Sequence, residues 1–222
     1  MLEPTRIFAL RHGETDWNVA QRIQGQLDVP LNDRGREQAA RLALALQGEE
    51  LAAVHSSDLQ RAAATAQAVA DACGLTVACD AALRERAFGR FEGETYIDIE
   101  ARWPDDALRW RKRDIDFAPG GGESLRDFSD RCIEVMTRLA HAHRGQAVAV
   151  VAHGGVLDCL YRASARLALD APRTWQLGNA AINRLLWSPG DAAPGTPGRF
   201  TLVGWADNFH LDENSTLDES TT

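Results

Sequence analysis

Residues 7–18 read IFALRHGETDWN, and this stretch combines the pattern of a buried strand with residues typical of a ligand site. Its first four residues form a short apolar run of the length and composition of a buried strand. The run ends directly in Arg11, His12 and Gly13. The first two side chains can bind or attack an anion, and the glycine leaves room for a ligand. The tripeptide alone does not define a site, so partners must come from elsewhere in the chain.

A second stretch has the same form. Residues 147–155 read AVAVVAHGG, an apolar run that ends in His153 and is followed by Gly154 and Gly155. The carboxyl ends of parallel strands meet at one edge of a sheet, where ligands bind in such folds. We therefore expect His12 and His153 to lie side by side at that edge.

A third apolar run, LAAVHSS at 51–57, leads into a helical pattern that carries Arg61 near its start. Two arginines and two histidines would then meet at one edge of the sheet. Guanidinium groups bind phosphate oxygens with two hydrogen bonds at once, and histidine supplies a nucleophile or a further donor. The pattern predicts a pocket for a phosphoryl group.

Strand and helix patterns alternate along the chain. This predicts an α/β fold, a three-layer sandwich with a largely parallel central sheet and helices on both faces. The strand candidates are residues 6–10, 51–55, 75–79, 147–152, 181–187 and 200–205, and the helices begin after Asn32, Ser57, Ser124 and Gly155. We expect one domain over residues 1–212, with an inserted helical lid at about 93–122, and a disordered acidic tail at 213–222.

The composition limits the classes of partner that the protein is expected to bind. The 222 residues carry a net charge of -8, which argues against nucleic acid as a partner, because such binding needs many cations. No apolar stretch approaches the ~20 residues of a membrane span, and the N-terminus lacks the features of a signal peptide. We expect a cytoplasmic protein whose partner is a small phosphorylated metabolite. A homodimer is an open alternative.

The residues also suggest a division of chemical roles. Either His12 or His153 could attack phosphorus, provided that its imidazole is neutral and one ring nitrogen is held by an acceptor, such as a backbone carbonyl near Gly13. The leaving alkoxide needs a proton, and Glu85 is the candidate acid. We expect a largely buried position that raises its pKa toward neutrality. Glu92 is its rival.

Several motifs in order resemble the histidine phosphatase superfamily, in its phosphoglycerate mutase-like branch. They are LRHGETDWN, RIQGQLDVPLNDRGREQA, SSDLQRAAATA, LRERAFGRFEG, GGGES and VAHGG, and they span most of residues 5–187. The resemblance implies that His12 is the nucleophile and becomes phosphorylated, and that Glu85 is the proton donor. It implies that the phosphate ligands and pocket-lining residues are Arg11, Arg61, His153, Asn18, Gln24 and Gly25; Gly154, which follows His153, joins this predicted set. It implies no metal and no organic cofactor.

Three functions are compatible with these motifs. The first is a phosphatase that hydrolyses a small phosphomonoester through a phosphohistidine, and the chain's compact length favours it. The alternatives are a cofactor-dependent phosphoglycerate mutase and an inactive phospho-ligand binding protein. A basic cluster bears on the choice, because it either grips a second anionic group or forms a solvated helix face; its members are Arg109, Arg111, Lys112 and Arg113.

Overall fold

The computed structural model describes residues 3–190 and 198–212, and in these ranges the central element is a six-stranded sheet. The strands are β1 (Thr5–Arg11), β2 (Leu51–Ser56), β3 (Val77–Cys79), β4 (Ala147–Ala152), β5 (Ile182–Ser188) and β6 (Arg199–Asp207). Their spatial order is β3-β2-β4-β1-β5-β6. The first four are parallel neighbours, whereas β5 and β6 run antiparallel at one edge. The predicted, largely parallel sheet is confirmed, although β3 begins at Val77 rather than at Leu75.

The strand β4 is buried along its whole length between β1 and β2. Val148 and Val150 face one apolar cluster, whereas Ala149 and Val151 face the other on the opposite side of the sheet. A strand covered on both faces must be apolar at every position, which explains the unbroken run in the sequence. The same pairing sets Arg11 opposite Ala152, so His12 and His153 follow at one level of the sheet edge.

Helices cover both faces of the sheet. They are α1 (Asp16–Val19), α2 (Asp33–Leu46), α3 (Gln60–Cys73), α4 (Tyr96–Arg102), α5 (Pro104–Arg111), α6 (Leu125–Ala142) and α7 (Gly154–Ala165). Leu42 of α2 and Ala66 of α3 belong to the cluster on one face, and Phe128 of α6 and Leu157 of α7 belong to that on the other. These layers are the predicted three-layer sandwich. Within residues 3–190 and 198–212, no helix has the length and apolar character that crossing a membrane requires.

The predicted helix starts after Asn32 and Ser124 are observed, whereas those after Ser57 and Gly155 are not, since α3 begins at Gln60 and α7 at Gly154. The side chain of Asn32 accepts a hydrogen bond from the Gly35 N–H at 2.8 Å, and Ser124 Oγ accepts one from the Asp127 N–H at 3.0 Å. Ser57 does not cap α3, whose N-cap position is Leu59. The Ser57 N–H donates to the carbonyl of Val151, which continues the sheet ladder by one residue and delays the helix.

Residues 93–122, the predicted lid, contain α4 and α5. A separate apolar cluster lies beneath them, formed by Phe91, Ile99, Ala107 and Phe117. The segment thus packs around a small cluster that is separate from the two clusters on the faces of the sheet. Its action as a lid stays a prediction, as does the domain extent of 1–212. The predicted acidic tail at 213–222 lies outside the described residues.

The loop after β1 lies directly against the first turn of α2. A Cβ atom added at Gly13 would come within 2.4 Å of the Gly35 carbonyl oxygen, and one added at Gly35 would come within 2.0 Å of the Glu14 carbonyl oxygen. Both obstacles are backbone atoms, which cannot rotate away. Contact between two glycines therefore sets the position of the loop that follows His12.

The close contact predicts that Gly35→Ala destabilises the protein, although alanine favours helix by ~1 kcal/mol over glycine. Overpacking costs roughly 1–3 kcal/mol or more, so we expect a net loss of about 1 kcal/mol in the free energy of unfolding, together with reduced turnover. Gly48→Ala is the control, because no atom lies within 4 Å of its added Cβ. Denaturant unfolding measures both. A Gly35→Ala protein as stable as the control would contradict the contact.

Candidate active site

A cavity of about 670 Å³ opens at the carboxyl ends of β1 and β4. The predicted site residues that line it are Arg11, His12, Asn18, Gln24, Gly25, Arg61, Glu85 and Gly154. His153 lies beneath this lining, fully buried, with its ring centroid 5.2 Å from that of His12. The structure thus brings together these nine predicted residues, from four separate stretches of chain.

His12 is held in one orientation by its own loop. Its Nδ1 lies 2.7 Å from the carbonyl oxygen of Gly13, and because that oxygen only accepts, we assign the ring proton to Nδ1. Nε2 then carries a free lone pair. Burial lowers the pKa of His12 well below its ordinary value, and the positive charges of Arg11 and Arg61 lower it further. The imidazole is therefore neutral near pH 7 and equipped as a nucleophile.

His153 has the same electrostatic surroundings without the same anchoring. Its pKa is also lowered well below the ordinary value, first by burial and then by the charge of Arg61. Within the described ranges neither ring nitrogen has a hydrogen-bond partner. A buried imidazole without a partner is a ready donor for a ligand oxygen in its N–H form.

The two arginines are fixed through backbone carbonyls. Arg11 Nη1 donates to the Leu177 carbonyl, and Arg61 donates through Nη1 to Leu27 at 2.9 Å and through Nη2 to Gly25 at 2.7 Å. Burial lowers the pKa of Arg11 to about 10, so its guanidinium remains positive near pH 7. Carbonyls orient these groups without cancelling their charge.

Unpartnered buried donors are concentrated at this point of the molecule. The Nε atoms of Arg11 and Arg61 have no hydrogen-bond partner in the described part of the chain, like both ring nitrogens of His153. Leaving a buried donor unsatisfied costs free energy, so such a group calls for an acceptor from outside the protein. The N-terminus of α7, which begins at Gly154, adds a partial positive charge beside them. The arrangement is suited to an anion with several oxygens.

Asn18 presents its amide nitrogen to the cavity. Its Oδ1 accepts hydrogen bonds from the N–H and the hydroxyl of Thr15, at 3.1 and 3.0 Å, and from Asn179 Nδ2 at 3.3 Å. With its oxygen occupied, the cavity-lining side chain has its Nδ2 donor left for a ligand. Asn179 also donates to the His12 carbonyl at 3.0 Å and so links these two residues.

Glu85 reaches the cavity from the loop after β3. One carboxylate oxygen accepts from the Gly155 N–H and the other from the Arg86 N–H, both at 2.9 Å. The approach depends on the missing side chain of Gly155, since a Cβ there would lie 2.2 Å from Glu85 Oε1. Glu85 is only partly buried, so the expected largely buried position is wrong. Exposure on the cavity side is what lets it meet a ligand.

Glu92, the other candidate acid, has a structural role. One of its oxygens accepts from the Gln26 N–H at 3.0 Å and from the Phe88 N–H at 2.9 Å. It does not line the cavity. Glu92 thus joins two loops, and Glu85 is the acid that a bound ligand would meet.

The basic cluster divides into two groups. Arg109 pairs with Asp114 at 2.8 Å, Arg111 pairs with Glu100, and the two arginines and Lys112 are exposed. Arg113 alone of the four lines the cavity. The interpretation as a solvated helix face therefore fits three members, whereas Arg113 lies where a substrate can reach it.

Sequence reasoning missed several residues of the cavity wall, among them Arg86, Asp158, Arg173 and Trp175. It also missed Asn179, which does not line the cavity but donates to the His12 carbonyl. Arg86 follows Glu85 directly, and Asp158 lies one turn after Gly154 in α7, so sequence spacing could have predicted that both lie at the site. The segment that carries Trp175 shows no periodic pattern. Only the folded chain places it against the site.

Comparison with known proteins gives consistent results. The sequence model of the histidine phosphatase superfamily (branch 1) matches residues 7–195. Phosphoglycerate mutase-like protein 4 of Arabidopsis thaliana is 40% identical over 215 residues, which are 95% of this chain and 89% of the relative. A metal-independent phosphoserine phosphatase of the same plant is 38% identical over 185 residues, 82% of this chain and 76% of that one.

Among solved structures, a mycobacterial glucosyl-3-phosphoglycerate phosphatase in complex with VO3 superimposes with a TM-score of 0.80. It is 35% identical, and the match covers 91% of this chain and 99% of that one. Sequence identity of 35% over nearly the whole length indicates that the two chains are related in sequence as well as in fold.

The lowered pKa of His12 predicts that its ring stays neutral in acid where an ordinary histidine gains a proton. As pH falls through 6.5, the ordinary histidine value, the Nε2 lone pair should remain available. Long-range ¹H–¹⁵N spectra of ¹⁵N-histidine-labelled protein measure this, with His12→Gln to assign the signal. A titration midpoint at or above 6.5 would show that burial and the two arginines do not act on the ring as described.

Proposed function

The chain belongs to the histidine phosphatase superfamily (branch 1), as its motifs predict, and we propose that it hydrolyses a small phosphomonoester through a phosphohistidine on His12. The named phosphatases among its relatives support hydrolysis as the reaction. The observation that carries the proposal is the group of buried donors without partners around the free Nε2 of His12. Together they form a receptor for a phosphoryl group beside a nucleophile.

In the first step His12 Nε2 attacks phosphorus. An N–P bond forms, the P–O bond to the ester oxygen breaks, and the carboxyl proton of Glu85 passes to the leaving alkoxide. Arg11, Arg61 and His153 donate hydrogen bonds to the remaining phosphoryl oxygens, where charge is concentrated in the transition state. The bond from Nδ1 to the Gly13 carbonyl supports the positive charge that the ring acquires.

In the second step a water molecule takes the place of the alcohol. Glu85, now a carboxylate, accepts a proton from that water as its oxygen attacks phosphorus. The N–P bond breaks, inorganic phosphate forms, and His12 returns to its neutral state. Every charge change is carried by His12 and Glu85, whereas Arg11 and Arg61 supply fixed positive charge and His153 a neutral hydrogen-bond donor. The scheme routes no step through a metal, and independence of metal stays a prediction from the sequence.

The substrate of this proposal is a small phosphorylated metabolite. The cavity lining carries six arginines and two carboxylates: Arg11, Arg22, Arg61, Arg86, Arg113 and Arg173 against Glu85 and Asp158. This excess of positive charge in the lining is larger than one phosphoryl group needs, so it favours a ligand with strong negative charge. A cytoplasmic location and a homodimer remain predictions from the sequence.

Phosphoglycerate mutase activity is the second candidate, since one relative is named mutase-like and Arg113 could hold a second anionic group. A mutase must shield its phosphohistidine from water until the substrate is phosphorylated again. The short segment 93–122 over the cavity favours access of water and hence hydrolysis. An inactive binding protein is disfavoured, because His12 and Glu85 both line the cavity.

The role of Glu85 as acid predicts a leaving-group effect. Glu85→Gln keeps the shape but cannot give up a proton, so hydrolysis of an alkyl phosphate should slow by ~10²–10⁴-fold. A nitrophenyl phosphate needs little protonation of its leaving group and should lose far less. Steady-state assays with EDTA present measure both substrates. Glu92→Gln is the matched control and should show no such difference, whereas an equal loss on both substrates in Glu85→Gln would remove Glu85 from the role of acid.

Access of water predicts the fate of the phosphoenzyme. The protein is incubated with 3-phosphoglycerate and a trace of 2,3-bisphosphoglycerate, and 2-phosphoglycerate and free phosphate are measured together. We expect release of phosphate to dominate, with weak or absent interconversion. Formation of 2-phosphoglycerate much faster than phosphate would favour the mutase instead.

A further inference from the structure

Arg173 differs from the other arginines of the cavity lining in having no anchor. It is exposed, and it makes no hydrogen bond or ion pair within residues 3–190 and 198–212. Each of the other lining arginines donates at least one hydrogen bond to a backbone carbonyl. These are Arg11, Arg22, Arg61, Arg86 and Arg113. The five N–H donors of the Arg173 guanidinium are therefore all available to a ligand.

The segment that carries Arg173 forms one wall of the cavity. Residues 175–178 line the cavity together with Arg173. The carbonyl of Leu177 accepts a hydrogen bond from Arg11 Nη1, which joins this wall directly to the phosphoryl pocket. Residues 172–174, in contrast, are all exposed. Arg173 thus lies at the exposed end of a wall whose other end is fixed to Arg11.

The charge of Arg173 acts on the phosphoryl pocket. Burial is the first cause that lowers the pKa of Arg11 to about 10, and the carboxylate of Glu85 opposes it. Among the neighbouring cations, Arg173 lowers this pKa more than Arg61 does, although Arg61 is itself part of the pocket. Two guanidinium groups repel each other, whereas an anion between them is attracted to both. The pair of Arg11 and Arg173 therefore favours an anion at the cavity mouth.

The anion that the reaction brings to Arg11 is the phosphoryl group. The other donors of the pocket, the Nε atoms of Arg11 and Arg61 and the ring of His153, are buried and meet this group from within. Building on the proposed function, we infer that Arg173 is a further substrate-binding residue, which contacts the phosphoryl group from the cavity mouth and is released when the site is empty. Its target is the phosphoryl group itself and not a second anionic group of the substrate.

Binding of inorganic phosphate, measured by calorimetry at low ionic strength, tests the inference. Arg173→Gln removes the charge, so the Kd for phosphate should rise by about 5-fold. The difference from wild type should shrink as salt is added, because an exposed charge is screened. Arg144→Gln is the matched control with the same change of net charge. Arg144 is exposed, lies outside the cavity lining, and precedes β4, whose other end forms the site.

Turnover identifies the group that Arg173 binds. With n-propyl phosphate, which has no second anionic group, kcat/KM of Arg173→Gln should fall by about the same factor as phosphate binding, and with 3-phosphoglycerate by a similar factor. A loss confined to 3-phosphoglycerate overturns the inference, because Arg173 would then serve the carboxylate. Equal phosphate affinities of Arg173→Gln and Arg144→Gln overturn it as well. Thermal unfolding of Arg173→Gln should match the wild type, since the side chain has no partner in the described part of the chain.

A failure of the proposed function would look different. No monoester would be hydrolysed, yet the wild type would bind inorganic phosphate more tightly than Arg173→Gln, and the inference would stand. If the wild type hydrolyses monoesters and Arg173→Gln matches it in turnover and phosphate binding, the inference fails and the proposed function stands. Absence of phosphate binding by the wild type overturns the inference too.

Discussion

The burial of two uncancelled arginine charges beside two histidines is the constraint on which the rest of this site depends. Arg11 and Arg61 are oriented by carbonyl oxygens of Leu177, Gly25 and Leu27, which hold them in place and leave their charge intact. Burial first, and then that charge, lowers the pKa of the neighbouring imidazoles and keeps them neutral, and the charge also prepares the cavity for an anion. One arrangement thus produces both a nucleophile and a receptor.

The fold supplies this arrangement through the pairing of β1 with β4. Parallel pairing sets their ends at one level, and each strand is followed at once by its histidine. Close packing then removes freedom from the loops: Gly13 rests on Gly35, and Gly155 admits the Glu85 carboxylate to the start of α7. The glycines that allow these close contacts are therefore as necessary to the site as the residues that take part in the reaction.

The sequence predicted the parts of the site that short-range patterns determine. Apolar runs ending in His12 and His153 located the sheet edge, a third run led to Arg61, and the need for a proton donor pointed to Glu85. Patterns failed where long-range contacts decide. Ser57 has the sequence of a helix cap, yet its N–H donates to Val151 of the sheet, its Oγ accepts from the Leu59 N–H, and α3 begins only at Gln60. Asn179 and Trp175 reach the site only because the chain before β5 folds back over the cavity, and no spacing rule encodes that return.

The central claim is that His12 accepts the phosphoryl group, and trapping that adduct tests it most directly. With p-nitrophenyl phosphate the first step has a good leaving group, so the phosphoenzyme should accumulate and can be quenched in base, where phosphohistidine survives. Peptide mass spectrometry should find acid-labile phosphate on His12 in the wild type and none in His12→Ala, with a burst of nitrophenolate in the wild type alone. Phosphate on another residue, or an adduct that persists in His12→Ala, would contradict the account.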